Sequence, residues 1–183
     1  MNLPNKITIA RVFMIPVFLV IYLVPGIPSA NYIAAAIFII ACLTDALDGY
    51  LARKYHLVTN FGKFADPLAD KLLVSAALIC FVELKLVPAW IIIIIISREF
   101  IISGFRLVAS DNGVVIAASN LAKLKTTAQM IMSILLIVHL DNQVFHVLEQ
   151  IFIYASLILT IASLVEYLYK NRNVLADKKS RKA

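Results

Sequence analysis

Residues 45–70 read DALDGYLARKYHLVTNFGKFADPLAD. Reduced to its polar and small positions, the stretch is D-x2-D-G-x2-A-R-x8-G-x3-D-x3-D. Asp45 and Asp48 are three residues apart and share one face of a helix, and Asp66 and Asp70, four apart, share another. The connection between Lys54 and Gly62 is short, so the two flanking helices are expected to be antiparallel neighbours with four carboxylates converging between them. Four of the seven aspartates of the chain fall in this window. A charge held within an apolar span costs about 3 kcal/mol even on lenient scales, so cations must offset these groups. Arg53, Lys63 and Lys71 are near in sequence, but paired all-oxygen ligands suit hard divalent ions, Mg²⁺ or Mn²⁺. Two such ions can clamp a phosphoryl group and stabilise both its attacking and leaving oxygens. Gly49 and Ala52 lack bulk and lie about one turn apart, where a ligand can approach the helix backbone. Arg53 offers a bidentate fork for phosphate, and Gly62 fits the start of the next helix. The alternative, helix-end charges held as ion pairs, leaves the spacing of all four aspartates without a cause.

The rest of the chain sets this motif in an apolar frame. Of its 183 residues 62% are hydrophobic and only 15% charged, and the mean hydropathy is +0.90. Soluble domains carry about a quarter charged residues, and so small a domain could not hide this much apolar surface from water. The solvent implied is a bilayer. Six apolar stretches, at about 9–24, 31–53, 64–82, 87–109, 119–140 and 147–169, approach the ~20 residues of a spanning helix. The first is short and carries Arg11, so its start is expected to lie at the interface. It has no small-residue cleavage site and reads as an uncleaved span. Of the 17 Lys and Arg, only Lys85 falls in a hairpin on one side. Both termini are therefore expected in the cytoplasm, and an even number of spans agrees with this by placing them on the same side. The net charge of +6 is explained by topology and points to no nucleic acid. Residues 1–170 read as one six-helix catalytic domain and 171–183 as a basic cytoplasmic tail. Cys42 and Cys80 read as small apolar side chains.

Two further segments carry charge into apolar runs. Arg98 and Glu99 lie in the fourth span with Arg106 eight residues beyond Arg98, and Lys123 and Lys125 open the fifth. Together these cations could hold a second, anionic substrate, and a phosphorylated alcohol fits; the alternative is positive charge that marks the cytoplasmic side. His56, His139 and His146 read as surface or interfacial polarity, and no Ser, His or Cys stands out as a nucleophile.

The eight-position aspartate pattern resembles the signature of the CDP-alcohol phosphatidyltransferases at every position. Pro4 to Arg11, the segment from Arg98 to Arg106, and Lys123 to Gln129 are similar to the bacterial phosphatidylglycerophosphate synthases within that family, over about residues 3–169. The resemblance implies an all-α polytopic membrane protein, with six transmembrane helices around a cytoplasm-facing polar cavity in the inner membrane, and a homodimer. It implies Asp45, Asp48, Asp66 and Asp70 as ligands of two metal ions, with Asp70 also the general base. Asp48, Gly49, Ala52, Arg53 and Gly62 would surround the CDP donor, and Arg98, Arg106, Lys123 and Lys125 the acceptor's phosphate. The implied reaction joins CDP-diacylglycerol to sn-glycerol 3-phosphate with release of CMP. Inositol phosphate, serine or phosphatidylglycerol are the other acceptors open within the family. Outside it, a divalent cation transporter would also place carboxylates in a membrane.

Overall fold

The computed structural model describes residues 3–54, 60–111, 116 and 119–171; within the helices, the side chains of residues 3–6, 45–54, 60–67, 70, 110 and 111 lie outside that description. Among the described residues the chain is all-helical: α1 (Leu3–Leu23), α2 (Ala30–Lys54), α3 (Asn60–Glu83), α4 (Ala89–Asp111), α5 (Asn120–Val138) and α6 (Gln143–Lys170). Pro25–Gly26, Leu86–Pro88 and Asp141–Asn142, which read as breakers in the sequence, fall between these helices, whereas Asn60–Gly62, read the same way, opens α3 and Asp111 ends α4. Gly26, at φ +90°, supplies the left-handed residue that the α1–α2 turn needs. α3 begins four residues before the apolar run starts, so its first turn is polar. α5 and α6 are long and apolar enough to cross a membrane.

The chain divides into two compact units. One comprises residues 1–88 with 133–149, the other 89–132 with 150–183. In the first, α1 packs against both α2 and α3, and α2 touches α3. Its core holds the fully buried Phe18, Phe38 and Phe81. Phe18 stacks on Tyr22 at 5.4 Å between ring centroids, and Tyr22 meets Phe81 edge-on at 6.4 Å. The Tyr22 hydroxyl donates to the Leu136 carbonyl at 3.1 Å, and Asn31 Nδ2 to the Val138 carbonyl at 3.3 Å. These contacts gather the α1–α2, α3–α4 and α5–α6 turns at one end of the unit. The antiparallel order of successive helices requires this.

α1 differs from expectation. It runs as one 21-residue helix from Leu3, with Pro16 inside it, and Arg11 is 1% exposed together with Thr8. The guanidinium turns inward rather than toward an interface. α1 packs against α2 and α3, the helices that carry the four aspartates.

In the second unit, Ile102 and Phe105 of α4 pack with Tyr167 of α6, and Ile116 and Leu164 lie against them. Phe105 and Tyr167 meet edge-on at 5.4 Å. Ser119 caps α5 by accepting the Ala122 N–H at 3.2 Å while donating to Glu166 Oε2 at 2.7 Å. Cys80 is buried and Cys42 half-buried.

Large apolar side chains also cover the outside of these helices: Phe13, Ile93, Leu107, Ile158 and Val165 are each more than 60% exposed. Such an exterior needs a hydrocarbon solvent. Burial then separates two phenylalanines of one helix. Phe18→Ala should lower the unfolding free energy in detergent by about 3 kcal/mol or more. Phe13→Ala, at an exposed position, should change it by about 0.5 kcal/mol or less.

Candidate active site

The aspartate motif is distributed over two helices of the first unit. α2 carries Asp45, Asp48, Gly49, Ala52 and Arg53, and α3 carries Gly62, Asp66 and Asp70. Continuous helical backbone through both segments puts each aspartate pair on a single helix face. The side chains of these eight residues, and His56 entirely, lie outside the described residues. The backbone still locates the motif along α2. Asn31, at the turn end, precedes Asp45 by fourteen residues, so the motif begins about 21 Å further along the axis. It therefore occupies the end of the unit opposite the three turns. As a donor set, four carboxylates from two touching helices fit hard divalent ions.

The second unit holds a charged cluster on α4 and α5. Glu99 Oε1 accepts from Arg98 Nη1 at 3.1 Å and also from Lys125 Nζ. The cations are the more deeply buried members: the side chains of Arg98 and Lys125 are 7% and 2% exposed, against 23% for Glu99. Arg98 Nε has no hydrogen-bond partner among the described residues. Two deeply buried cations on one carboxylate, with a guanidinium N–H still unmatched, favour a further anionic group. The Ser103 hydroxyl donates to the Glu99 carbonyl at 2.6 Å, satisfying itself within the helix.

The four cations singled out by sequence thus separate into pairs. Arg98 and Lys125 converge on Glu99, whereas Arg106 and Lys123 are exposed. Helix geometry is the reason. Eight residues rotate Arg106 about 80° past Arg98, beyond the buried face of Ile102, Phe105 and Ala109. Lys123 and Lys125 are two apart and point to nearly opposite sides of α5. Sequence reading attached no role to Glu99 beyond the charge it adds to the span. Its place four residues before Ser103 and next to Arg98 carried no signal that α5 would bring a lysine to it. Gln129, one turn after Lys125, is likewise buried, at 4%.

Comparison with known proteins agrees with the motif. The profile of the CDP-alcohol phosphatidyltransferases matches residues 1–162, and the chain belongs to this family, whose members are embedded in membranes. Among the curated relatives, the CDP-diacylglycerol–glycerol-3-phosphate 3-phosphatidyltransferase of Bacillus subtilis (strain 168) is 49% identical, over 95% of this chain and 97% of that protein. The Haemophilus influenzae protein of the same name is 43% identical over 96% of each chain. That of Rickettsia typhi is 38% identical over 91% of this chain and 94% of its own.

Breaking one partner of a buried charge cluster leaves the others uncompensated. Glu99→Gln should therefore cost about 3 kcal/mol or more of stability. Adding Lys125→Met should recover part of that loss, with a coupling of at least about 1 kcal/mol in a double-mutant cycle measured by unfolding in detergent.

Proposed function

We propose that this chain transfers the phosphatidyl group of CDP-diacylglycerol to sn-glycerol 3-phosphate, releasing phosphatidylglycerophosphate and CMP. The buried Arg98 and Lys125 on Glu99 favour a phosphorylated acceptor. A dianionic phosphate is the ligand that two desolvated cations with a spare N–H suit, and serine, which has no phosphate, would leave them without a role. The names of relatives that match nearly end to end support the same acceptor.

Asp45, Asp48, Asp66 and Asp70 would hold two divalent ions, Mg²⁺ or Mn²⁺. Once bound, these ions would supply the positive charge that the diphosphate of the donor and the leaving CMP require. Asp70 would take the proton of the acceptor's primary hydroxyl, whose oxygen attacks the phosphorus bearing diacylglycerol, in line with CMP. Asp48, Gly49, Ala52, Arg53 and Gly62 would receive the CDP group, the small residues by close approach and Arg53 by its fork. Arg98 and Lys125 would hold the acceptor's phosphate and so fix its hydroxyl in position. Arg106 and Lys123, being exposed, would raise the local concentration of the anion rather than bind it tightly.

The setting of this reading is a six-span protein of the inner membrane, with a polar cavity and both termini on the cytoplasmic side. Three turns gathered at one end, with Lys85 the only lysine or arginine in their sequences, support that orientation. By family resemblance the enzyme is a homodimer. Residues 1–170 would form the catalytic domain and 171–183 its basic tail.

Asp70→Asn should reduce CMP release by at least about a thousandfold at saturating metal, since it removes a ligand and the base together. Arg98→Ala should raise KM for glycerol 3-phosphate about tenfold or more while KM for CDP-diacylglycerol stays near wild type. Full activity of the first variant, or an unchanged acceptor KM in the second, would contradict the assignment.

A further inference from the structure

His139, His146 and Glu149 come together where α5 turns into α6, with their ligand atoms all within 4.8 Å of one another. Glu149 is in the second turn of α6 and is 4% exposed. His139 Nδ1 lies 2.8 Å from Glu149 Oε1, and His146 Nδ1 3.1 Å from Oε2. The two imidazole rings are 5.2 Å apart between centroids. The exposed Asp141 carboxylate stands 3.7 Å from His146 Nε2. Among the described residues, no lysine or arginine pairs with Glu149; both its oxygens face imidazoles. A buried carboxylate needs compensating positive charge, and here only Nδ1 protons or a metal cation can supply it.

The distances are those of hydrogen bonds, and they also bring the three donors close enough to share a cation. Tetrahedral zinc with bonds of about 2.0–2.1 Å sets its ligands about 3.3 Å apart, close to the two Nδ1–carboxylate separations. An ion could therefore replace the two Nδ1 protons with small side-chain shifts, releasing any proton present on those nitrogens. The donor set, two imidazoles and a carboxylate, suits a borderline transition-metal ion rather than Mg²⁺. His139 adds an independent observation. Its φ of 40° is left-handed, uncommon for any residue with a Cβ. It ends α5 by donating its N–H to the Leu135 carbonyl at 2.9 Å. Glycine would do this without strain, whereas histidine there sets a ring against Glu149.

We propose that His139, His146 and Glu149 form a site for one transition-metal dication, of which zinc fits best, that pins the α5–α6 turn. The site lies at the turn end of the first unit, the opposite end from the aspartate motif. It stands whether or not the reaction proposed above is correct. Asp141 is within reach as an outer partner of His146.

The test uses the untagged full-length protein in detergent, stripped of metal and then held in excess Mg²⁺ so that the all-oxygen site is filled. Calorimetric titration with Zn²⁺ should give one ion per chain, and Co²⁺ should give the absorption of a four-coordinate site. His139→Gln and His146→Gln, both at partly exposed side chains, should each weaken zinc binding by more than about a hundredfold. Both should keep the wild-type elution profile and helix content. Zinc should raise the thermal midpoint of the wild type and leave both variants unmoved. Absence of zinc binding by the wild type in excess Mg²⁺ would overturn the proposal, as would binding that neither histidine variant weakens.

Discussion

A charge among apolar helices must be met by an opposite charge or it unfolds the structure around it. This chain is poor in charge, yet it places several charged groups on buried faces. Arg11 is almost completely enclosed, and Lys125 is held with Arg98 on Glu99. Each such placement has a cost of several kcal/mol that apolar side chains would not incur. In the proposed reaction each kind of charge would have a use: the paired carboxylates of α2 and α3 for divalent ions, the cations of α4 and α5 for an anionic substrate.

The apolar part of the fold supplies the rigidity that this chemistry needs. Phe18, Tyr22, Phe38 and Phe81 lock α1, α2 and α3 at the turn end of the first unit. The motif aspartates lie at the other end of α2 and near the start of α3, away from these aromatic contacts. In the second unit Ile102 and Phe105 continue the helix face on which Arg98 is buried, so the same packing that holds α4 directs Arg98 inward.

Helix number and order could be read from the sequence because apolar runs and breakers are properties of short windows. Gly26, the residues around Pro88 and the Asp141–Asn142 pair each fall between helices, as expected. The aspartate motif could be read for the same reason: i,i+3 and i,i+4 spacing is a property of one helix. The cations were harder. A spacing of eight brings Arg98 and Arg106 toward one helix face, but the rotation of about 80° that it leaves is enough to move Arg106 into the open. Lys125 reaches Glu99, 26 residues earlier in the chain, and no local pattern encodes such a contact. The inward turn of Arg11 and the meeting of His139 and His146 on Glu149 are of the same kind. Each depends on how helices distant in sequence, or the two sides of a turn, are set against one another.

The central claim is that this family member uses glycerol 3-phosphate as its acceptor. The direct measurement is to incubate the purified protein with CDP-diacylglycerol and Mg²⁺ or Mn²⁺, offering glycerol 3-phosphate, inositol phosphate, serine and phosphatidylglycerol separately. CMP and the lipid product are then identified for each. The account predicts CMP and phosphatidylglycerophosphate in equal amounts with glycerol 3-phosphate, and little or no CMP with the other three. Efficient CMP release with a different acceptor, or none with glycerol 3-phosphate, would contradict it.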